Sequence, residues 1–454
     1  MDPNKNVFLI SLGCAKNRVD SEHMLGILAA GGFGIAQSIE EARIAVINTC
    51  GFIQAAAEEA VEAILEAVRL KQEGRLKRVI VAGCFVQRYG YKLLREIPEV
   101  DGWLGTGDIA RIVRVLERPA EDAPPMLISR PTYLADHAVP RIQSTPFYSA
   151  YLKIAEGCSH GCTYCIIPKL RGPYRSRPLE SLVEEAGIMA SRGVREINLV
   201  AQDTTFYGGD RPGEGGLEDL LEAMVHIRGI RWIRLLYCHP ERISDRLLQL
   251  IEDHEVICPY LDIPLQHVNR RQLTAMGREP GNEPPMALIE RIRSRRRAIS
   301  VRTTLMLGFP GETASMFREL REFVRQAELD YLGAFVFSPE QGARAARFAG
   351  AVPEEAAQKR REEIMALQQE IVERRSRRFV GRTLPVLVEG VCSETDLLLT
   401  GRTATMAPEV DGRVLINEGR GIEGEIMPVF IREAQGYDLV GSLDIEHWAV
   451  NSGH

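Results

Sequence analysis

The stretch KIAEGCSHGCTYCIIP places Cys158, Cys162 and Cys165 within eight residues, with no fourth cysteine nearby. A structural zinc site takes four ligands, usually as two close pairs, and no second pair follows. The ferredoxin run is also different, since it has two residues in its first two gaps and a further cysteine followed by proline. Three thiolates on a four-iron cluster leave one iron without a protein ligand, the incomplete shell that a catalytic centre uses to bind substrate or cofactor. The alternative is three unconnected thiols in a loop. Against it, free cysteine favours buried apolar positions, and these sit among Gly, Ser, His and Thr.

A second set is dispersed. Cys14 follows the apolar run VFLIS, Cys50 follows ARIAVIN and Cys84 follows RVIVAG. Each stands at the C-terminal end of an expected parallel strand, where open α/β sheets build their sites. If those strands are neighbours, three thiols converge without any local spacing motif. Spacing alone weighs equally for three small side chains packed at strand ends.

The elements that would position both sets are legible in outline. Residues 5–120 alternate strand and helix signals: VFLIS, a helical stretch from Asp20, ARIAVIN, the amphipathic AAAEEAVEAILEAVRLKQEG and RVIVAG. This pattern predicts an open parallel α/β sheet with helices on both faces. Residues 121–143 read as a Pro-rich linker. Residues 144–375 hold six or so further strand–helix units, YLKIAEG, EINLVAQ, WIRLLYC, YLDIPLQ, RTTLMLGFPG and YLGAFVFSP, which predict a full or partial parallel barrel with the cysteine loop at its mouth. A charged helix from Pro353 to Arg378 leads into 376–446, short strands with Gly and Pro turns that predict a small all-β barrel.

Composition narrows the class. The 454 residues exceed one ordinary core. No apolar run approaches the ~18 residues of a membrane helix, and the start MDPNKNVFLI lacks the pattern of a secretory signal, so the expected location is the cytoplasm with no membrane partner. Nine cysteines in such a chain favour metal binding or catalysis over a disulfide framework. The net charge is −6, but from Arg382 onward five Arg and no Lys face twelve Asp and Glu, a net of −7. The rest of the chain is balanced at 51 basic and 50 acidic residues. An acidic tail domain opposes a phosphate backbone and suits a basic protein partner.

The Cys158–Cys162–Cys165 spacing resembles the radical S-adenosylmethionine (SAM) superfamily. The resemblance implies that the open iron binds SAM and that Tyr164, before the third cysteine, contacts its adenine. Gln202 and Asp203, in NLVAQDTT, fall where the superfamily often has a polar motif for the SAM amino group, although an ordinary loop start reads the same way. LGFPGET, with Gly308 to Thr313, reads either as a SAM-pocket wall or as a turn with a helix cap. Over nearly its full length the chain resembles the methylthiotransferase family, through SLGCAKNRVDSE, NTCGFI, AGCF, EGCSHGCTYCIIPKLRGPYRSR, LDIPLQH and GFPGET. GCAKN, rather than the GCQMN of the tRNA-modifying branches, points to the branch that modifies an aspartate of ribosomal protein S-twelve.

That resemblance implies a TRAM-type C-terminal barrel and a second 4Fe-4S cluster on Cys14, Cys50 and Cys84 that carries the sulfur. One SAM would donate a methyl group and another would give the 5′-deoxyadenosyl radical that activates the aspartate β-carbon. The implied partners are ribosomal protein S-twelve, free or in the small subunit, and an electron donor such as flavodoxin or ferredoxin. Competing readings are a tRNA-adenosine methylthiotransferase, which the acidic tail disfavours, and a non-catalytic iron–sulfur carrier or RNA-binding module. Cys238, Cys258 and Cys392 read as core thiols, and His239 and His267 as strand-end residues without ligand spacing. Arg291 to Arg297, and Arg374, Arg375, Arg377 and Arg378, read as solvated helix faces.

Overall fold

The computed structural model describes residues 5–118, 123–278 and 281–444. Parts of all four expected segments, residues 119–122, 279–280 and 445–446, lie outside the described residues.

Strands β1 (Asn6–Ser11), β2 (Gly34–Ile35), β3 (Ile44–Thr49), β4 (Arg78–Gly83), β5 (Gly102–Leu104) and β6 (Met126–Leu127) form a six-stranded parallel sheet in the order β2-β1-β3-β4-β5-β6. Alternate residues leave opposite faces. Ala45, Ile47, Val79 and Val81 pack against helix α2 (Gln54–Gln72), whereas Val46, Ile80 and Ala82 pack with Met24 and Leu28 of helix α1 (Ala15–Ala30). Both faces are therefore covered, as a parallel sheet requires.

Helix α1 begins at Ala15, five residues before the helical start expected at Asp20. Its buried residues include Lys16, Asn17, Asp20, Ser21, Glu22 and His23, so apolar periodicity understates it. The polar face is buried because α1 meets the next domain. The Pro-rich linker is strapped to the same helix. Arg141 ion-pairs with Glu22 and, at 2.7 Å, with Glu185, while the Ile142 N–H donates to Glu22 O at 3.0 Å. A Cβ at Gly26 would stand 2.3 Å from the Pro140 carbonyl, so glycine is what lets the strap lie on the helix.

The second domain opens with β7 (Ser149–Lys153) and an antiparallel ribbon of β8 (Ala155–Glu156) and β9 (Arg175–Ser176). Strands β10 (Glu196–Val200), β11 (Trp232–Leu235), β12 (Ile257–Asp262), β13 (Ser300–Leu307) and β14 (Tyr331–Val336) join β7 in a parallel sheet of order β14-β13-β12-β11-β10-β7. The sheet is unclosed, a partial barrel. Ile197, Leu199, Ile233 and Leu235 face the surrounding helices. On the other face Tyr151, Trp232, Cys258, Tyr260 and Tyr331 share a cluster with Val386, Met406, Ala407 and Ile431 of the third domain.

That domain is a closed barrel of β15 (Thr383–Cys392), β16 (Thr395–Thr403), β17 (Val414–Glu418), β18 (Ile426–Gln435) and β19 (Asp438–Leu443), in the order β15-β16-β17-β19-β18. It is locked on by a buried ion cluster. Glu196 accepts from Arg234 at 2.9 Å, from Arg402 of β16 at 2.7 Å and from Ser149 at 2.7 Å.

The arginine runs are engaged rather than loosely solvated. Arg297 donates to four backbone carbonyls, of Ile251, His254, Glu255 and Ile257, and Arg375 and Arg378 both bind Asp330. Among the described residues no helix is long and apolar enough to cross a membrane.

Burial alone would raise the Glu196 carboxyl, but the Arg402 and Arg234 guanidinia outweigh it and hold it far below the usual carboxylate range. Such a group stabilises the fold above its unfolded value of about 4.3 and loses that contribution as pH falls. Arg402→Met is therefore expected to cost about 3–5 kcal/mol, read as a lower denaturation midpoint at pH 7. Glu196→Gln is expected to show a shallower loss of stability below about pH 4 than the parent.

Candidate active site between two cysteine sets

The local sequence around each cysteine explains where its thiol points. Strands β1, β3 and β4 are adjacent, with Ser11 paired to Asn48 and Thr49 to Gly83, so their C-terminal ends line up. Cys14 is the N-cap of α1, Cys50 follows β3 directly, and Cys84 opens the short helix α3 (Cys84–Tyr89) after β4. A polar lattice fixes these ends. Asn17 Nδ2 donates to Leu12 O at 2.7 Å, and Asn48 Nδ2 donates to Ser21 Oγ at 2.8 Å and Asn17 O at 2.9 Å. Gly13 has φ +87°, and a Cβ there would lie 2.7 Å from Cys50 Cβ and 3.2 Å from its Sγ. Only glycine lets the Cys14 loop come this close to Cys50.

The second set sits in the loop between β8 and β9. Cys158 Sγ accepts from the His160 N–H, and Cys165 Sγ from the Ile167 N–H, each at 3.4 Å. Cys158, Cys162 and Cys165 line a cavity of about 220 Å3. Tyr164, Gln202 and Asp203 line it too, as do Tyr237, Cys238, His239, Gln266 and Arg278. Phe52, two residues beyond Cys50, completes the wall from the first domain. Cys84 packs on Ile166, the neighbour of Cys165. The two cysteine sets therefore face each other across one domain boundary.

Buried charge holds that boundary. Arg171 lies 2.9 Å from Asp20 and 3.1 Å from Glu156, and Lys153 bridges the same two carboxylates, 2.6 Å from Glu156. Arg171 also donates to Asn17 Oδ1 at 3.2 Å. Desolvation tends to raise the Cys14 thiol, yet Lys16 and Arg171 bring it below its ordinary value. Burial pushes Cys84 up to about 12, Cys158 to about 11 and Cys165 to about 12. Thiols held this way lose their protons to a metal, so loading is proton-linked.

Among the described residues no three Cys, His, Asp or Glu side chains converge tightly enough to hold a single metal ion. A cubane cluster asks for something else, since each thiolate takes a different iron and the sulfurs stand further apart. The cavity beside the second set also contains buried polar atoms without partners: Gln202 Oε1, Gln266 Oε1 and His239 Nδ1. Such atoms fit a ligand that brings its own donors. Asp203 is fixed beside them, with His160 Nε2 at 2.7 Å, Thr205 Oγ1 at 2.6 Å and Arg242 at 2.9 Å. Its carboxyl stays below the usual value because these hydrogen bonds overcome desolvation. His239 stacks on His160 at 4.6 Å and is held neutral, with its pKa lowered to about 3 by burial and by Arg278.

Residues 6–105 match the uncharacterized protein family UPF0004, residues 152–324 the radical SAM superfamily and residues 380–443 the TRAM domain. A protein of Pelobacter propionicus named ribosomal protein uS12 methylthiotransferase RimO is 46% identical over 97% of this chain and 98% of its own length. Relatives of the same name from Anaeromyxobacter sp. strain K and Geobacter sulfurreducens are 47% and 44% identical, covering 96% and 97% of this chain and 93% and 98% of theirs. The chain belongs to the RimO family of radical SAM methylthiotransferases. The fold is shared more widely. A radical SAM methyltransferase, TsrM of Kitasatospora setae, superposes with TM-score 0.54 at 14% identity over 73% of this chain and 72% of its own.

The sequence-predicted residues separate cleanly by place. All six cysteines lie at the boundary, and Tyr164, Gln202 and Asp203 line the cavity. The Gly308 to Thr313 stretch is a turn, in which Glu312 accepts from the Gly308 N–H and Thr313 Oγ1 caps the helix Ala314–Ala327. His239 and Cys238 are cavity walls, while His267 lines an adjoining cavity of about 260 Å3 that shares His239 and Arg278. Lys16, Arg171 and Gln266 lie within the quoted motifs and Arg278 outside them, but residue type and spacing suggested no role for any of the four. Only their place after strand ends or beside a cysteine marks them.

Arg171→Met leaves Asp20 and Glu156 sharing Lys153 alone. It is expected to cost about 3–5 kcal/mol and to expose the boundary to limited proteolysis, measured against the parent at matched temperature.

Proposed function

We propose that the chain methylthiolates the β-carbon of an aspartate in ribosomal protein S-twelve, with two 4Fe-4S clusters and SAM. The observation that carries this reading is that two sets of three cysteines, each one ligand short of a cluster's four irons, adjoin one domain boundary, where Phe52 lines the cavity of the second set and Cys84 shares an apolar cluster with Ile166. Cys158, Cys162 and Cys165 would hold the SAM-binding cluster, and Cys14, Cys50 and Cys84 the cluster that carries sulfur. When bound, these groups supply a radical able to take hydrogen from an unactivated carbon and the sulfur to replace it.

The chain's own residues bind, orient and exclude water. Gln202 and Gln266 offer carbonyl oxygens to the amino group of SAM, and Asp203, clamped by His160, Thr205 and Arg242, adds a fixed negative charge. Tyr164 packs with Phe309, Leu273 and Met276, an apolar bed suited to an adenine face. Buried Cys238 and half-buried Phe52 add apolar wall to the cavity. The acidic TRAM barrel suits a basic ribosomal protein over tRNA. A flavodoxin or ferredoxin would deliver the electrons. The relatives' shared name supports the same substrate.

The test is anaerobic reconstitution with SAM and a strong reductant, offering ribosomal protein S-twelve and bulk tRNA in parallel, with mass spectrometry of both. A methylthio group on the protein aspartate alone is the expected outcome, and modification of tRNA alone would replace this reading with the nucleic-acid one. Replacing Cys158, Cys162 and Cys165 by Ala is expected to halve the iron content and abolish SAM cleavage. The same change at Cys14, Cys50 and Cys84 is expected to halve the iron and abolish methylthio transfer.

A further inference from the structure

Among the described residues Lys16 is a buried cation that forms no ion pair, although the Cys14 thiol and Asp262 both feel its charge. It lies two residues after Cys14 in the first turn of α1 and is 6% exposed. Its Nζ stands 3.2 Å from the centre of the Tyr237 ring. Among the described residues no carboxylate pairs with it, in contrast to Lys153, which holds both Asp20 and Glu156. A ring face attracts an ammonium but satisfies none of its three N–H donors by an oxygen. Burying such a group is costly unless an anion arrives to meet it.

Its surroundings show where that anion would sit. Tyr237 lines the cavity of Cys158, Cys162 and Cys165, and Lys16 adjoins Cys14, so the ammonium lies between the two cysteine sets. Asp262 feels its charge but forms no ion pair with it: its Oδ2 accepts from the Tyr237 N–H at 3.0 Å, and its Oδ1, 3.6 Å from Arg302, makes no hydrogen bond. Tyr237 itself has φ +60°, a conformation a tyrosine rarely takes, and that Asp262 contact pins it there. The ring is thus held as a fixed shelf beneath the ammonium.

An aspartate substrate carries a carboxylate one bond from the carbon to be modified. We propose that Lys16, seated on the face of Tyr237, reads that carboxylate and thereby sets the aspartate β-carbon between the two cysteine sets. The inference rests on the function proposed above and adds the residue that recognises the side chain. A nucleobase offers no such anion beside the carbon to be modified, so the same contact favours an acidic side chain over a base at that position.

The test uses the full-length, cluster-loaded protein as parent, Lys16→Met and Lys16→Arg. Each is offered ribosomal protein S-twelve and the same protein with its target aspartate replaced by asparagine. The readouts are equilibrium binding by fluorescence anisotropy, kcat/KM for methylthio transfer, and iron content. The parent is expected to prefer the aspartate form by roughly ten- to a hundredfold, the worth of one charge-assisted hydrogen bond. Lys16→Met is expected to reduce that preference to within about threefold, and Lys16→Arg to restore part of it. A Lys16→Met protein that keeps the full preference overturns the assignment. So does one that loses half its iron, because Lys16 would then serve the Cys14 set. A parent that leaves S-twelve unmodified fails at the earlier step and overturns the substrate reading itself.

Discussion

Everything that matters in this molecule depends on one buried ionic contact, Asp20 and Glu156 with Lys153 and Arg171. Asp20 belongs to α1, the helix that Cys14 caps, and Glu156 lies two residues before Cys158. The contact therefore joins the backbone that carries one cysteine set to the backbone that carries the other. Four charges out of water are costly, and their mutual attraction offsets the cost only in good geometry. A mismatched docking of the two domains would strand them unpaired. Apolar surfaces tolerate sliding, whereas this arrangement penalises it, which is what the proposed pair of clusters would require to act on one carbon.

The same device recurs at the third domain. Glu196 lies on the face of β10 turned toward the TRAM barrel, and Arg402 reaches it from β16 beside Arg234. Arg302 meets Asp411 at 3.2 Å in the same interface. The inner face of the partial barrel is thus polar and aromatic where other sheets would be aliphatic, because a second domain rather than helices covers it. Alternate residues on the opposite face keep the ordinary aliphatic pattern, and that half of the pattern marked the strands in the sequence.

The legibility of the site follows from distance along the chain. Cys158, Cys162 and Cys165 occupy one loop, so their spacing alone carried the chemistry. Cys14, Cys50 and Cys84 were legible only as strand ends, and their convergence needed the neighbour order β1-β3-β4. Arg171 was invisible because its partner Asp20 is 151 residues away. The start of α1 was missed for the same reason. Its buried polar face makes sense only against Lys153 and Arg171, and periodicity cannot anticipate a partner from another domain. The Pro-rich stretch read only as a linker, yet Arg141 and the close contact at Gly26 strap it to α1.

Backbone strain gathers at this site. Among the described residues four non-glycine residues have positive φ, and two of them, Tyr237 and Gln266, line the cavity of the second cysteine set. Each left-handed residue costs on the order of 1–3 kcal/mol, so the surrounding structure must hold it. It does: the Tyr237 N–H donates to Asp262, and the Gln266 N–H donates to Thr304 O at 2.8 Å. Both residues follow parallel strands, β11 and β12, whose regular path would carry the chain past the cavity rather than into it. The left-handed turn redirects the side chain at the point where the strand ends. Gln266 brings an unpartnered carbonyl oxygen and Tyr237 a ring beneath Lys16. Strain, unpaired polar atoms and an unneutralised lysine thus coincide in one small volume. In the reading proposed above, the unpaired oxygens meet the amino group of SAM and Lys16 meets the carboxylate of a separate ligand, the substrate aspartate.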